Sequence, residues 1–157
     1  MPGASRIILW VTLALAQPAV ACEYVNIIRD GYAKAQWCLT VARTHTEHRQ
    51  GLQGVSALKP NTGMLFIYEK PELQYFWMKN TPLALDLIFA TSSGIISKII
   101  KNAQPYDESI LAGGCAQFVI EVEAGGAAKV EPGDQLVFQS RLTATGNGHG
   151  KKNDYCM

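Results

Sequence analysis

The chain has 157 residues, of which 48% are hydrophobic and 17% charged, with 14 Lys and Arg against 13 Asp and Glu. That length and apolar share fit one compact domain and exclude an intrinsically disordered chain, where low hydrophobicity meets high net charge. A formal charge of +1 argues against a dedicated nucleic-acid binder, which needs clustered Lys and Arg to neutralise phosphates.

Residues 1–21 read as a signal peptide. Arg6 is the positive region, residues 7–15 form the apolar stretch, and Ala19-Val20-Ala21 is the cleavage signature. The apolar run falls far short of the ~20 residues that span a bilayer. An exported, periplasmic domain is expected, and removing that segment takes away Arg6 and no acid, which leaves 13 residues of each sign. Cleavage after Ala21 would put Cys22 first, where a bacterial lipoprotein is acylated, so membrane attachment is expected only if Cys22 is lipidated. Four cysteines (Cys22, Cys38, Cys115 and Cys156) in an oxidising compartment favour two structural disulfides, with three connectivities open. Cys22 and Cys156 stand at the chain ends and are expected to pair, leaving Cys38 with Cys115. No Cys-x-x-Cys is present to support redox chemistry.

In chain order, residues 35–42 alternate, with Ala35, Trp37, Leu39 and Val41 on one face, which predicts a half-buried strand. Thr44-His45-Thr46-Glu47 fits a capping box that opens a short helix over about 46–52. Pro60-Asn61-Thr62-Gly63 is turn chemistry before a short apolar strand at 64–68, and strands at 74–79 and 83–90 flank Pro82. Thr91-Ser92-Ser93-Gly94 turns the chain into a hairpin arm at 95–101. A strand over 118–123 follows, then the Pro132-Gly133-Asp134 turn and a last strand over 135–142. Residues 143–157 form a Gly-, Asn- and Lys-rich tail without periodicity, expected to be flexible. The fold class is therefore mainly β with one or two short helices. It is a single β-rich domain over 22–142, a small β-sandwich or partly open barrel.

Several ordered blocks carry a resemblance. Arg49-Gln50-Gly51-Leu52, Gly63-Met64-Leu65-Phe66 and Phe76-Trp77-Met78-Lys79-Asn80-Thr81 resemble the bacterial and archaeal domain-of-unknown-function family 192. Pro82, Leu85-Asp86-Leu87-Ile88-Phe89, Gly94, Val119-Ile120-Glu121-Val122, Gly125 and Pro132-Gly133-Asp134 continue the pattern. The resemblance implies a small, mostly β, often exported domain. It carries no activity or catalytic residue. Gln53 departs from the methionine that commonly follows Gly-Leu, and the terminal cysteines lie outside the shared motifs.

The block around Trp77 is the main site candidate. On a strand, Trp77, Lys79 and Thr81 would share one face, and Phe76, Met78 and Asn80 the other. Aromatic and Met surface beside a cation and an amide suits a small ligand with an apolar body and an anionic or hydroxyl end. The plain alternative is that the aromatics and Met78 fill core while Lys79 and Asn80 satisfy a turn. Asp86 and Glu121 each oppose the apolar stripe of their own strand. If they shared one cleft, they would serve as the acid and base of a hydrolase-like enzyme, although pairing with Lys79 or Arg49 explains them equally. His45 and His48, with His149, could share a metal, but two helix histidines are ordinarily just solvated, so no metal is expected. Neither a Gly-x-Ser-x-Gly elbow nor a phosphate loop is present, and no cofactor is expected. The residues proposed to bind a small molecule, glycan or envelope protein are Arg49, Trp77, Met78, Lys79, Asn80, Asp86 and Glu121.

Overall fold

The computed structural model describes residues 22–139 and 156. The expected signal peptide, the tail apart from Cys156, and His149 lie outside the described residues. In order come β1 (Glu23–Arg29), β2 (Tyr32–Ala42), α1 (His45–Gln50), β3 (Thr62–Phe76), β4 (Leu85–Ala90), β5 (Ile96–Ala103), β6 (Leu111–Glu123) and β7 (Gln135–Phe138).

β1 is an element beyond those read from the sequence. It joins β2 through Asp30-Gly31, where both residues have positive φ (52° and 82°), and Arg29 pairs with Tyr32 across the turn. Two consecutive positive φ values are what a two-residue hairpin of matching twist requires, and Asp-Gly adopts them with little strain. The strands expected at 64–68 and 74–79 are one long strand, β3, whose pairing with β6 shifts after Ile67 and Gln74.

The seven strands form one sheet in the order β5-β4-β6-β3-β2-β1-β7. All neighbours are antiparallel except β2 and β3. A parallel pair needs a crossover, and residues 43–61 supply it, laying α1 on the outside of the sheet. The sheet curls until its edges meet at one end, where Ile95 bridges Gln135 and the Ile96 N–H donates to the Asp134 carbonyl at 2.8 Å. The architecture is thus the partly open barrel, not the two-sheet sandwich. The Pro132-Gly133-Asp134 turn sits at this closure, held by Arg29. Its guanidinium pairs with the buried Asp134 carboxylate, meets Glu131 at 2.9 Å and donates to the Pro132 carbonyl at 2.8 Å.

Both faces of the sheet are buried. Val25, Ile27, Trp37, Leu39, Phe118 and Ile120 belong to the inner core. Phe66, Leu87, Phe89 and Val119 belong to the outer one, which Leu52 and Met78 complete from the covering segments. Each such fully buried Leu, Ile or Phe contributes about 1.5–3 kcal/mol. Across the β4–β6 pair, Asp86 lies opposite Val122 and Leu87 opposite Glu121. Val122 faces the inner core and Leu87 the outer, so the two carboxyls point to opposite faces of the sheet.

The disulfides pair Cys22 with Cys38 and Cys115 with Cys156, at Cα–Cα distances of 5.3 and 5.8 Å. This corrects the expected Cys22–Cys156 and Cys38–Cys115 connectivity. Cys38 is registered with Thr62 at the start of β3, and Cys115 with Leu73 near its end on the other side. A whole strand lies between them, whereas a disulfide needs Cα atoms within about 7 Å. Engaged with Cys38, the Cys22 thiol is not free to carry an acyl chain. No helix among the described residues is long and apolar enough to cross a membrane.

Candidate functional site

α1 is short and depends on its caps. The Glu47 N–H donates to Thr44 Oγ1 at 3.2 Å, and Glu47 Oε2 accepts from the Thr44 and Arg43 N–H groups at 2.8 Å each. This is the expected capping box. The backbone N–H groups of Thr44 and Arg43 hold the Glu47 carboxyl below its ordinary range. Gly51 ends the helix at φ 47°, a conformation that disfavours a side chain. Any Cβ there would stand 3.5 Å from the Phe66 ring and 3.8 Å from Glu121 Oε2. Those are ordinary contact distances, so the positive φ and not a lack of room calls for glycine, and the helix end sits over Phe66 and Glu121.

After Phe76 the chain leaves the sheet, so the Trp77-to-Thr81 part of the block is a turn and not the expected strand. Backbone bonds tie this strap to both neighbouring loops. The Met78 N–H donates to the Asp107 carbonyl at 2.7 Å, Gly54 N–H to the Asn80 carbonyl at 2.9 Å, and Tyr106 N–H to the Thr81 carbonyl at 3.1 Å. Asn80 adopts φ 53°, which asparagine tolerates better than most residues.

Between α1 and the strap lies a cleft of about 280 Å³. Phe66 and Glu121 line it from the sheet, Tyr75, Phe76 and Trp77 from the end of β3 and the strap, and His45, His48 and Arg49 from α1. The aromatic wall is packed in place. Phe76 stands edge-on to Phe66 (5.2 Å, 88°), and the His48 ring lies 4.4 Å from Tyr68. His48 Nε2 meets the Ala42 carbonyl at 3.1 Å.

Glu121 is 5% exposed, and its Oε2 has no hydrogen-bond partner. Burial pushes its carboxyl up to about 8, so it is predominantly protonated at neutral pH. Burial, and then the nearby Glu121 and Glu72, push the Tyr68 phenol well above its ordinary range. Arg49 is exposed at the rim, and among the described residues no acid forms an ion pair with it. The cleft thus joins an aromatic wall, a free cation and a neutral buried carboxyl.

The profile of domain-of-unknown-function family 192, described as "Uncharacterized ACR, COG1430", matches residues 26–138. The chain belongs to this family. A crystal structure from Sinorhizobium meliloti 1021, of a protein described as a candidate transcription regulator, is similar at 32% identity and a TM-score of 0.72. The match covers 78% of this chain and 97% of that one. A protein of unknown function from Novosphingobium aromaticivorans DSM 12444 is similar at 32% identity and a TM-score of 0.68, covering 73% of this chain and 83% of that one. A search of curated proteins finds no match.

In this family 192 domain the cleft brings together Arg49, Trp77 and Glu121 of the residues singled out from the sequence. It does not gather the others. Met78 is 1% exposed and fills the outer core. Lys79 turns outward to Glu108 at 3.6 Å and lies 5.7 Å from the Trp77 ring centre. Asn80 shapes the turn, its Nδ2 3.5 Å from Gln53 Oε1.

Asp86 lies on the other face of the sheet, where it accepts from the N–H groups of Asn102 (2.9 Å), Gly125 (2.9 Å) and Ala127 (3.0 Å). The alternative reading of Asp86 and Glu121 as an acid–base pair is therefore overturned, because a sheet separates the two. His45 and His48, considered for a metal with His149, line the cleft, and no group of three metal-ligating side chains occurs among the described residues, which do not include His149. Sequence reasoning missed Phe66, Tyr68 and Tyr75 as wall residues. The capping box signalled a helix there, but nothing local indicated which strand face the helix would cover.

Proposed function

We propose that this family 192 domain is an exported, non-enzymatic binding module that takes a small ring-bodied, hydroxylated ligand, such as a saccharide unit of a glycan, in the cleft between α1 and the strap. One observation carries this reading. Glu121 is a buried carboxyl with an unpartnered oxygen at the floor of an aromatic-lined cleft, and an unsatisfied buried polar group costs stability unless something uses it. Trp77, 46% exposed, offers a face on which an apolar sugar face can stack. Glu121 is the only carboxyl lining the cleft among the described residues, so the pair that glycoside hydrolysis uses is not assembled there. Two disulfides agree with an oxidising, extracytoplasmic compartment. The Sinorhizobium neighbour's description as a candidate regulator of transcription gains no support from this chain's near-neutral charge.

Saturation-transfer NMR of the disulfide-bonded protein against a panel of mono- and disaccharides tests the proposal. Binding by a panel member, lost in Trp77→Ala with the melting temperature unchanged, is the expected result. A panel with no binder, or binding indifferent to Trp77, would overturn it.

A further inference from the structure

The charge of the cleft narrows the class of ligand. Its lining contains one permanent cation, Arg49, two imidazoles, His45 and His48, and the single carboxyl of Glu121. The groups around Glu121 leave that balance intact. Beside it in the cleft lining stand His45, His48 and Arg49 from α1 and the phenols of Tyr68 and Tyr75 from β3. Glu72 acts on Tyr68 from farther along β3. Lys79 of the strap is engaged outward with Glu108, and Asp86 of β4 lies across the sheet. With Glu121 protonated, the cleft carries a positive balance and a buried O–H donor. Cationic ligands find no counter-charge there.

Resting on the binding reading above, we propose that the ligand is a ring compound bearing a carboxylate, of the uronic-acid class. Its ring stacks on the Trp77 side, and its carboxylate is read by the Arg49 guanidinium and by the Glu121 carboxyl. Two features of the geometry support this. Arg49 has a planar fork suited to a carboxylate and no competing acid among the described residues. Glu121 Oε2 sits under Gly51 without a partner, which leaves an unfilled hydrogen-bonding group buried at the floor of the cleft. Binding an anion beside Glu121 further disfavours its ionisation, so affinity couples to the proton on that carboxyl.

The test is a titration of the intact, disulfide-bonded protein followed by amide NMR, using glucuronate and galacturonate beside glucose and galactose. At about pH 7.5, above the ordinary imidazole range, the uronates are expected to bind at least ~10-fold more tightly than the neutral sugars, and that advantage to fall by about 10-fold near pH 9.5, where Glu121 is ionised. Arg49→Gln should remove most of the preference. Glu121→Gln, which keeps an N–H donor without a titrating group, should still bind uronates but lose the pH step. Neutral sugars binding as well as uronates would overturn this inference and leave the binding reading standing. Binding by neither class would overturn both.

Discussion

Asp86 on β4 and Glu121 on β6 are buried carboxyls, 1% and 5% exposed, on adjacent strands and on opposite faces of one sheet. Asp86 accepts three backbone N–H bonds, which fasten the 124–128 turn and the β5 residue Asn102 to the sheet. Glu121 has an oxygen with no partner and opens on a cleft. The first is a building component whose charge is fully used. The second has hydrogen-bonding capacity left over, and burial raises its carboxyl toward the neutral form. Burial alone therefore does not distinguish the two carboxyls; the count of their satisfied oxygens does.

This contrast can be broken most strongly at Asp86. Asp86→Ala strands three backbone donors in or near the core and is expected to cost about 3–5 kcal/mol in urea denaturation. An unchanged midpoint would show that the turn does not depend on it.

Glu121 behaves in the opposite sense. Its folded-state value is raised from 4.5 to about 8. The native state thus holds the proton more tightly than the unfolded chain, and the stability this contributes is full below about pH 4.5 and is lost as pH rises through about 8. Denaturation midpoints of the wild type should fall across that window. Glu121→Met should flatten the profile and gain on the order of a few kcal/mol on its alkaline side. A methionine variant that destabilises the fold, or keeps the pH slope, would place the origin of the slope elsewhere.

Smaller effects sharpen the same comparison at the rim of the cleft. Thr44→Ala removes the cap of α1 and should cost about 1 kcal/mol by thermal melting while disordering the Arg49 wall. Lys79→Ala removes an exposed pair with Glu108 and a cation over the Trp77 ring and should shift stability by no more than about 1 kcal/mol, without abolishing ligand binding. A loss of binding in that variant would return Lys79 to the site.

Much of the architecture was legible because it depends on local signals. Alternation marked β2 and the end of β6, the Thr91-to-Gly94 turn marked the β4–β5 hairpin, and Thr44 with Glu47 marked the start of α1. β1 escaped notice, although Asp30-Gly31 between apolar residues is a strong hairpin signal. The site was legible in part. Trp77, Arg49 and Glu121 stood out by type, yet their convergence depends on the crossover that lays α1 over β3 and β6.

The pairing of Asp86 with Glu121 failed for a physical reason. Each carboxyl opposes the apolar stripe of its own strand, but both faces of this sheet are buried, so the stripe of β4 faces outward and that of β6 inward. Alternation reports which residues share a face within a strand and says nothing about which core that face meets. The disulfides failed similarly: position along the chain suggested a link between the ends, whereas the strand order put β3 between Cys38 and Cys115.

The most direct measurement is the titration of the Glu121 side-chain carboxyl by carbon-13 NMR of the wild-type protein, with Glu121→Gln to assign the resonance. A midpoint near 8, well apart from the exposed glutamates, is the result expected of a neutral, unpartnered carboxyl at the floor of a binding cleft. A midpoint near the ordinary 4.5 would mean that Glu121 is solvated and charged, and the account of the cleft as an anion-reading site would fall.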